Sequence, residues 1–340
     1  MEWQRGHTIG HGSSATVYTA ACRGGVFAVK SLELSQSEPL QKEQSFLSSL
    51  SSPYVVTYKG CGITTENNKL IFNLFMEYMP FGTLAELTRE RGGRFEEPAI
   101  AHYTSQIVQG LEYLHSRGLV HCDIKGANIL IGEGGAKIGD FGCAKRVADE
   151  AAAIGGTPMF MAPEVVRGED QGCASDIWSL GCTLIEMATG DAPWPNVADP
   201  FSVLYYIAYS SEVPQIPRFL SQEARDFLGK CLRRNPQERW TASELLKHPF
   251  VGKLCSNKQV LETNSSSSPT SILDHGFWSS FEESESFGNS VHRSSGVEIS
   301  ACGRVRMLAL HSGLPCWARH DDDDEENWIT ARGISGEIIR

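Results

Sequence analysis

Hydrophobic and polar residues follow one period up to about Ala99 and a different one beyond it. In the first part, residues 6–22 and 25–34 alternate apolar with small or polar side chains and have glycines at the bends, a pattern typical of β-strands joined by turns. Residues 69–79 are mostly apolar, which predicts a buried strand, and a short linker with Gly82 follows. We therefore expect a first lobe rich in β-strands.

One helix is predicted between these strands, in the stretch SEPLQKEQSFLSSL. Ser37 is placed to act as the N-cap, and Pro39 suits the first helical turn. Phe46, Leu47 and Leu50 form one apolar face, so the helix should pack against the sheet.

Helical periodicity dominates after Ala99. Apolar side chains recur at spacings of three and four in residues 99–118, and similar helices are predicted at 176–190 and 221–232, with Pro-rich loops between them. The pattern stops near HPFVGKLC. A β-rich part followed by an α-rich part indicates two lobes.

The chain beyond Cys255 has a different composition. It is rich in Ser and Glu, it shows neither the strand period nor the helix period, and it contains an acidic run at 321–326. Such segments bury too little apolar area to offset the entropy of ordering. Two interpretations remain open: a disordered segment that is phosphorylated near Pro269 and binds regulators, or a passive solubilising extension.

Charge and cysteine content narrow the function classes. The net charge is −11, and residues 256–340 contribute −6 of it through 7 Lys/Arg and 13 Asp/Glu. This negative charge argues against nucleic acid or an anionic membrane as the main partner.

The N-terminus has no apolar signal core, and no apolar run approaches the roughly 20 residues of a membrane span. The ten cysteines include no CxxC pair. We expect a soluble protein with reduced thiols, located in the cytoplasm, with the nucleus as a second location.

Two glycines near the N-terminus are suited to phosphate binding. In IGHGSSATVY, Gly10 and Gly12 would let backbone N–H groups approach phosphate oxygens, although a plain β-hairpin also explains the motif and Ala15 replaces the third glycine of GxGxxG. Lys30 ends the next predicted strand. If it faces inward it needs a counter-charge, which Glu43 can supply; a solvated lysine on an edge strand is the alternative.

Three further motifs supply the chemistry of phosphoryl transfer: HCDIKGAN, DFG and GTPMFMAPE. Asp123 can accept the proton of a hydroxyl nucleophile, and Lys125 can neutralise charge on the transferred group. Asn128 and Asp140 offer hard oxygen ligands suited to Mg²⁺ bridging phosphates. Chance does not account for four ordered motifs at compatible spacing.

Across residues 3–253 these motifs resemble those of the eukaryotic protein kinases. GTPMFMAPEVV, SDIWSLGCTLIEMATGDAPW and HPFV are most similar to MAP kinase kinase kinases of the MEKK type, and the tail resembles a small plant branch of that group. The resemblance implies an α+β, bilobal fold: a small β-rich N-lobe at about 3–79, a larger α-helical C-lobe at about 80–253, and a mostly disordered regulatory tail at 254–340.

The resemblance also implies roles for single residues around ATP. Lys30 would hold the α- and β-phosphates with Glu43 as its partner, Met76 would guard the back pocket, and Glu77 and Met79 would offer backbone groups to adenine. The complete implied set is Ile9, Gly10, His11, Gly12, Val17, Ala28, Lys30, Glu43, Met76, Glu77, Met79 and Leu130.

In the catalytic loop, the resemblance places Asp123 in the position of the catalytic base. Lys125 together with Thr157 follows the pattern of Ser/Thr kinases, not tyrosine kinases. Asn128 and Asp140 take the metal-binding positions.

Structural positions match as well, with two minor departures. Glu164 and Arg239 resemble the buried ion pair that anchors the activation segment, and Asp176 resembles the helical Asp that braces the catalytic loop. Ala15 should stiffen the glycine-rich loop without removing the site. The segment that joins strand and helix before Glu43 is short and leaves little slack.

The third departure is Cys122. Relatives with Arg there pair its guanidinium with a phosphate on the activation segment. Here residues 143–156 contain no Ser, Thr or Tyr. The arginine that would bind the phosphate and the hydroxyl side chains that would usually carry it are therefore absent together. We expect the activation segment to become ordered without a phosphate on residues 143–156. Activity would then be set by the abundance of the protein, by the tail or by a partner. Asp149 and Glu150 could mimic a phosphate or form a solvated loop, and Cys122 could be a redox switch or an inert buried thiol.

The sequence therefore predicts a Ser/Thr protein kinase that uses ATP and Mg²⁺ and phosphorylates MAP kinase kinases in a plant stress or hormone cascade. We expect a monomer, with tail-binding regulators as further partners. The alternatives are a pseudokinase scaffold without turnover and a kinase of another pathway. Lys30, Glu43, Asp123, Asn128 and Asp140 are all present, which argues against the pseudokinase.

Overall fold

The chain folds into two lobes, as the sequence predicts. The computed structural model describes residues 3–11, 15–22, 25–149, 154–195 and 200–252. Gly12, Glu150 and the predicted tail lie outside these residues. The first lobe is built on a β-sheet, the second mainly on helices, which confirms the α+β, bilobal class.

An antiparallel five-stranded sheet forms the N-lobe, in the order β1-β2-β3-β5-β4. Its elements are β1 (Gln4–His11), β2 (Thr16–Cys22), β3 (Gly25–Glu33), α1 (Glu38–Leu47), β4 (Tyr58–Glu66) and β5 (Lys69–Glu77). The apolar run of β5 is buried from Phe72 to Met76. Phe27 and Phe75 cover one sheet face together with Trp3, so both faces of β5 are protected from water.

Helix α1 begins where the sequence predicts, but its first turn is capped differently. Ser37 occupies the N-cap position without accepting a hydrogen bond from the helix. Its hydroxyl instead donates to the Leu34 carbonyl at 2.9 Å and accepts from Gln41 Nε2 at 2.7 Å. A short 3₁₀ turn before the helix presents that carbonyl, which explains why the expected cap is not formed. Phe46 and Leu47 are buried, as the apolar face predicts.

The C-lobe contains most of the helices. Its elements are α2 (Leu84–Glu90), α3 (Glu97–His115), β6 (Leu119–Val120), β7 (Ile129–Gly132), β8 (Gly135–Ile138), β9 (Lys145–Arg146), α4 (Pro163–Val166), α5 (Cys173–Thr189), α6 (Pro200–Tyr209), α7 (Gln222–Cys231) and α8 (Ala242–Leu245). The helices predicted from periodicity correspond to α3, α5 and α7. Helix α5 is central and almost wholly buried, because α3 and α7 pack against it.

Two small sheets bring the predicted chemistry to one place. Strand β6 pairs with β9, and β7 forms a hairpin with β8. The loops at 121–128 and 139–144 connect these strands and therefore lie side by side. Within the part of the chain that the structure describes, no helix is both long and apolar enough to cross a membrane.

Candidate active site

Lys30 contacts one carboxylate from each lobe. Its Nζ lies 2.7 Å from Glu43 Oε2 on α1 and 3.1 Å from Asp140 Oδ1 in the C-lobe. Strand β3 is interior to the sheet, with Lys30 paired to Val17 on one side and Leu74 on the other. The alternative of a solvated edge lysine is therefore wrong, because the residue is buried and paired.

Electrostatic attraction among Lys30, Glu43 and Asp140 keeps Lys30 and Asp140 charged. Burial opposes the charge on Lys30, but Asp140 and Glu43 outweigh it and raise the Lys30 pKa. Burial also opposes ionisation of Asp140, yet the Lys30 ammonium lowers the Asp140 pKa. Burial raises the pKa of Glu43, which Lys30 and the Phe141 amide counteract. A charged ammonium and an ionised Asp140 therefore face the cleft together.

The catalytic loop holds Asp123 between two donors. Lys125 Nζ donates to Asp123 Oδ2 at 2.8 Å. Asn128 Nδ2 donates to the same oxygen at 2.9 Å and to the Asp123 carbonyl at 2.8 Å. These bonds fix the orientation of the carboxylate, and they turn the amide nitrogen of Asn128 inward, so that its carbonyl oxygen points away from Asp123.

Thr157 closes this arrangement. Its hydroxyl donates to Asp123 Oδ1 at 2.7 Å and accepts from Lys125 Nζ at 2.6 Å. The resemblance groups Thr157 with Lys125, and the structure brings both of them beside Asp123. A threonine hydroxyl therefore fits within hydrogen-bond distance of the predicted base, beside a positive charge.

The backbone just before Asp123 is held by a buried carboxylate. Cys122 has φ 67°, a left-handed conformation that non-glycine residues seldom adopt. Asp176 at the start of α5 accepts from the amides of Cys122 and His121, each at 2.9 Å. The Cys122 thiol is buried and directed to the Val120 carbonyl, and burial followed by the Asp176 charge raises its pKa. An inert thiol fits this environment better than a redox switch does.

Most residues predicted to contact ATP lie on neighbouring strands. Gly10 on β1 is paired with Val17 on β2, and Ala28 on β3 is paired with Met76 on β5. Ile9 precedes Gly10 on the same strand, and His11 ends that strand. Gly12 is outside the described residues.

The end of β5, the segment after it and β7 provide the remaining predicted contacts. The Glu77 carboxylate is bound by Lys137 Nζ at 2.7 Å and by the Thr57 hydroxyl at 2.8 Å, so its side chain is already engaged and only its backbone could serve adenine. Met79 is buried. Leu130 lies on β7 in the C-lobe.

The donor set fits a cation that bridges phosphates. In residues 3–252, outside the undescribed gaps, no group of three or more His, Cys, Asp or Glu side chains could enclose a metal. Asn128 and Asp140 supply one amide and one carboxylate oxygen. Mg²⁺ commonly takes only one or two protein carboxylates and completes its shell with phosphate oxygens and water. The Asp140 side chain is 45% exposed and ionised, which suits such an open site.

Two polar side chains that sequence reasoning missed also support the loops. Glu186 on α5 accepts from the Gly126 amide at 2.9 Å. An acidic residue within the apolar run of this helix was a signal that could have identified it. Gln171 contacts both Gly155 and Cys122 from the loop before α5. No pattern in the sequence marks a loop glutamine for such a contact.

Glu164 and Arg239 form a buried, two-pronged ion pair. Arg239 Nη2 lies 2.6 Å from Glu164 Oε2, and both side chains are almost inaccessible to solvent. Arg239 also donates to the carbonyls of Ala174 and Arg233 and lies over the Trp178 ring. The pair therefore ties α4, directly after the activation segment, to the segment between α7 and α8.

Comparison with known proteins agrees with this geometry. A model of the protein kinase domain matches residues 3–251. Mitogen-activated protein kinase kinase kinase 17 of Arabidopsis thaliana is 53% identical over 292 residues, which cover 83% of this chain and 78% of that protein. Mitogen-activated protein kinase kinase kinase 18 of the same plant is 49% identical over 345 residues, covering 98% and 99%. Mitogen-activated protein kinase kinase kinase A of Dictyostelium discoideum is 41% identical over 276 residues, covering 76% and 29%. The resemblance inferred from the sequence is confirmed: the chain belongs to the protein kinase family, among the mitogen-activated protein kinase kinase kinases.

Proposed function

We propose that this protein transfers the γ-phosphoryl group of ATP to Ser or Thr hydroxyls of MAP kinase kinases. The observation that carries the proposal is the Thr157 hydroxyl, which lies 2.7 Å from Asp123 Oδ1 and 2.6 Å from Lys125 Nζ. A substrate hydroxyl that approaches Asp123 beside it would meet the same base and the same positive charge. The names of the plant relatives support MAP kinase kinases as the substrate class.

In this proposal Asp123 orients the substrate hydroxyl and accepts its proton, while Lys125 stabilises negative charge on the phosphoryl oxygens. Asp123 is only 9% exposed, so its carboxylate is fixed by Lys125 and Asn128 and not by bulk water. A fixed orientation matters because phosphoryl transfer depends mainly on positioning and electrostatics.

The residues proposed to hold the nucleotide and the metal lie on both sides of the cleft. Lys30 presents an ammonium group, kept charged by its two carboxylate neighbours, to the phosphates. Asn128 and Asp140 would hold Mg²⁺, and Gly10 would bring the backbone of β1 to the nucleotide. Bound ATP supplies the phosphoryl group, and Mg²⁺ neutralises charge on its phosphates.

A pseudokinase scaffold is not favoured. Such a protein tolerates loss of the groups that act only in turnover. Here Lys30 is paired with Glu43, and Asp123 is bonded to both Lys125 and Asn128, so the groups needed for transfer are present and joined.

Phosphate incorporation into an inactive MAP kinase kinase tests the proposal. Asp123→Asn removes the proposed base, and we expect the rate to fall by at least about a hundredfold, the usual contribution of a positioned base. Asp191→Asn, an exposed substitution away from the cleft, should retain wild-type activity and serves as the matched control. Equal incorporation by wild type and Asp123→Asn would reject the catalytic role.

A further inference from the structure

Gln171, in the loop before α5, connects two segments of the active site. Its Oε1 accepts from the Gly155 amide at 3.3 Å, and its Nε2 donates to the Gly155 carbonyl at 2.9 Å. The same Nε2 lies 3.5 Å from the Cys122 carbonyl. The side chain is only 4% exposed, so water competes little for these bonds. One amide therefore pairs with both the N–H and the carbonyl of Gly155 and also reaches the catalytic loop.

The N–H and the carbonyl of Cys122 are consequently held by two residues, one in α5 and one in the loop that precedes it. Asp176 accepts a hydrogen bond from the Cys122 N–H, and Gln171, five positions earlier in the chain, donates one to the Cys122 carbonyl. A left-handed φ of 67° at a non-glycine residue persists only where neighbouring groups enforce it. Cys122 directly precedes Asp123, so this restraint also sets the position of the proposed base.

The activation segment packs tightly against the same point. Gly156 has φ 118°, and a Cβ atom there would collide with the Cys122 carbonyl oxygen. A Cβ at Gly155 would approach Cys143 Sγ to 3.3 Å. Gly156 permits a close approach of backbone to backbone and Gly155 a close approach of backbone to the Cys143 side chain, and Thr157 follows immediately. The position of the Thr157 hydroxyl therefore depends on the contact between Gly156 and the Cys122 carbonyl.

We propose that Gln171 is a neutral clasp that orders the end of the activation segment against the catalytic loop without any phosphate. Relatives with Arg at the position of Cys122 form this link between a guanidinium and a phosphate; here an amide forms it with backbone groups. Gln171 is a positioning residue, since it acts on Asp123 and Thr157 through Cys122 and Gly155. The proposal rests on the kinase function proposed above and names how that site is kept active.

The test uses the dephosphorylated full chain and the variant Gln171→Met, which keeps the volume of the side chain but cannot form the hydrogen bonds. We expect kcat to fall between about tenfold and a hundredfold, the range that small misplacement of reacting groups produces. KM for ATP should stay unchanged, because the Lys30 and Glu43 contacts are untouched. Gln109→Met is the matched control, because the Gln109 amide bonds only to Ser105 of its own helix in the contacts that the structure shows.

Hydrogen exchange at the Gly155 amide gives a readout that needs no catalysis. We expect it to accelerate in Gln171→Met and to stay at the wild-type rate in Gln109→Met. Gln171→Glu, which keeps the acceptor for the Gly155 amide but loses both donated bonds, should also lower kcat, and it replaces the Met variant if that variant does not fold. A wild-type kcat and wild-type Gly155 exchange in the variants would overturn the clasp, as would a rise in KM for ATP that accounts for the loss of activity.

The acceptor in these kinetic measurements is casein, a general Ser-containing protein. If the wild type phosphorylates casein but no MAP kinase kinase, the proposed substrate is wrong while the comparison of variants still decides the clasp. If the wild type phosphorylates neither, the kinase function fails, and Gly155 exchange alone decides whether Gln171 holds the segment.

Discussion

The Thr157 hydroxyl donates a hydrogen bond to Asp123 Oδ1 across 2.7 Å, although the two residues are 34 positions apart in the chain. This bond joins the end of the activation segment to the catalytic loop. Lys125 bonds to both partners, at 2.8 Å to Asp123 and at 2.6 Å to Thr157, so the three groups restrain one another. The segment is therefore coupled directly to the proposed base.

Thr157→Val should lower kcat, because it removes the hydroxyl while keeping the shape of the side chain. Lys125 then loses one acceptor and Asp123 one donor, and we expect a loss of about tenfold or more from the misplaced groups. Thr157→Ser keeps the hydroxyl and should retain most of the activity. Steady-state kinetics on the two variants measure the difference, and equal kcat values would show that the hydroxyl has no role.

Complete dephosphorylation should leave the kinase active. Cys122 offers no positive charge to a phosphate, and residues 143–156 contain no hydroxyl side chain. The contacts of Gln171 with Gly155 and Cys122 are between uncharged groups. Activity is measured before and after phosphatase treatment, with the phosphatase removed before the assay. A collapse of activity that phosphate on Thr157 alone restores would contradict this expectation.

Glu164→Gln should destabilise the C-lobe strongly. It leaves the buried Arg239 guanidinium without a full counter-charge, and removal of one partner of such a pair costs about 3 kcal/mol or more in the free energy of unfolding. Glu169→Gln is the matched control, because the Arg167–Glu169 pair is partly solvated and should contribute only about 0–1 kcal/mol. Urea unfolding measures both, and similar losses would show that burial of the pair is not what matters.

The buried cysteines should resist alkylation in the folded protein. Burial raises the pKa of the Cys122, Cys182 and Cys231 thiols, so at mildly alkaline pH they stay protonated and unreactive. Among the cysteines that the structure describes, Cys61 is exposed on β4 and should react first. Peptide mapping by mass spectrometry after brief treatment with iodoacetamide gives the order of reaction. Rapid labelling of Cys122 in the native protein would revive the redox-switch alternative.

Periodicity and motif spacing predicted most of the architecture. The three-to-four spacing of apolar residues gave α3, α5 and α7, and the apolar run gave β5, because burial of one continuous face dictates these patterns. The pairing of Lys30 with Glu43 was also predicted, since a buried lysine requires a partner. The two residues lie on elements that are close in the chain, β3 and α1, which made the contact easy to anticipate.

Contacts that depend on local backbone geometry could not be predicted. Ser37 occupies the expected N-cap position, but a preceding 3₁₀ turn places the Leu34 carbonyl where it accepts a hydrogen bond from the Ser37 hydroxyl. Gln171 binds backbone atoms, which every residue possesses, so no complementary side chain in the sequence marks its partners. The left-handed conformation of Cys122 is likewise a product of the surrounding fold and not of the residue type.

Phosphorylation of a panel of purified, inactive MAP kinase kinases by the full chain, with ATP and Mg²⁺, tests the central claim most directly. The modified residues are mapped by mass spectrometry for wild type and for Asp123→Asn. We predict phosphate on Ser or Thr of at least one panel member with the wild type, and loss of that phosphate with Asp123→Asn. The absence of phosphate from every MAP kinase kinase, or its presence to the same extent with Asp123→Asn, would contradict the claim.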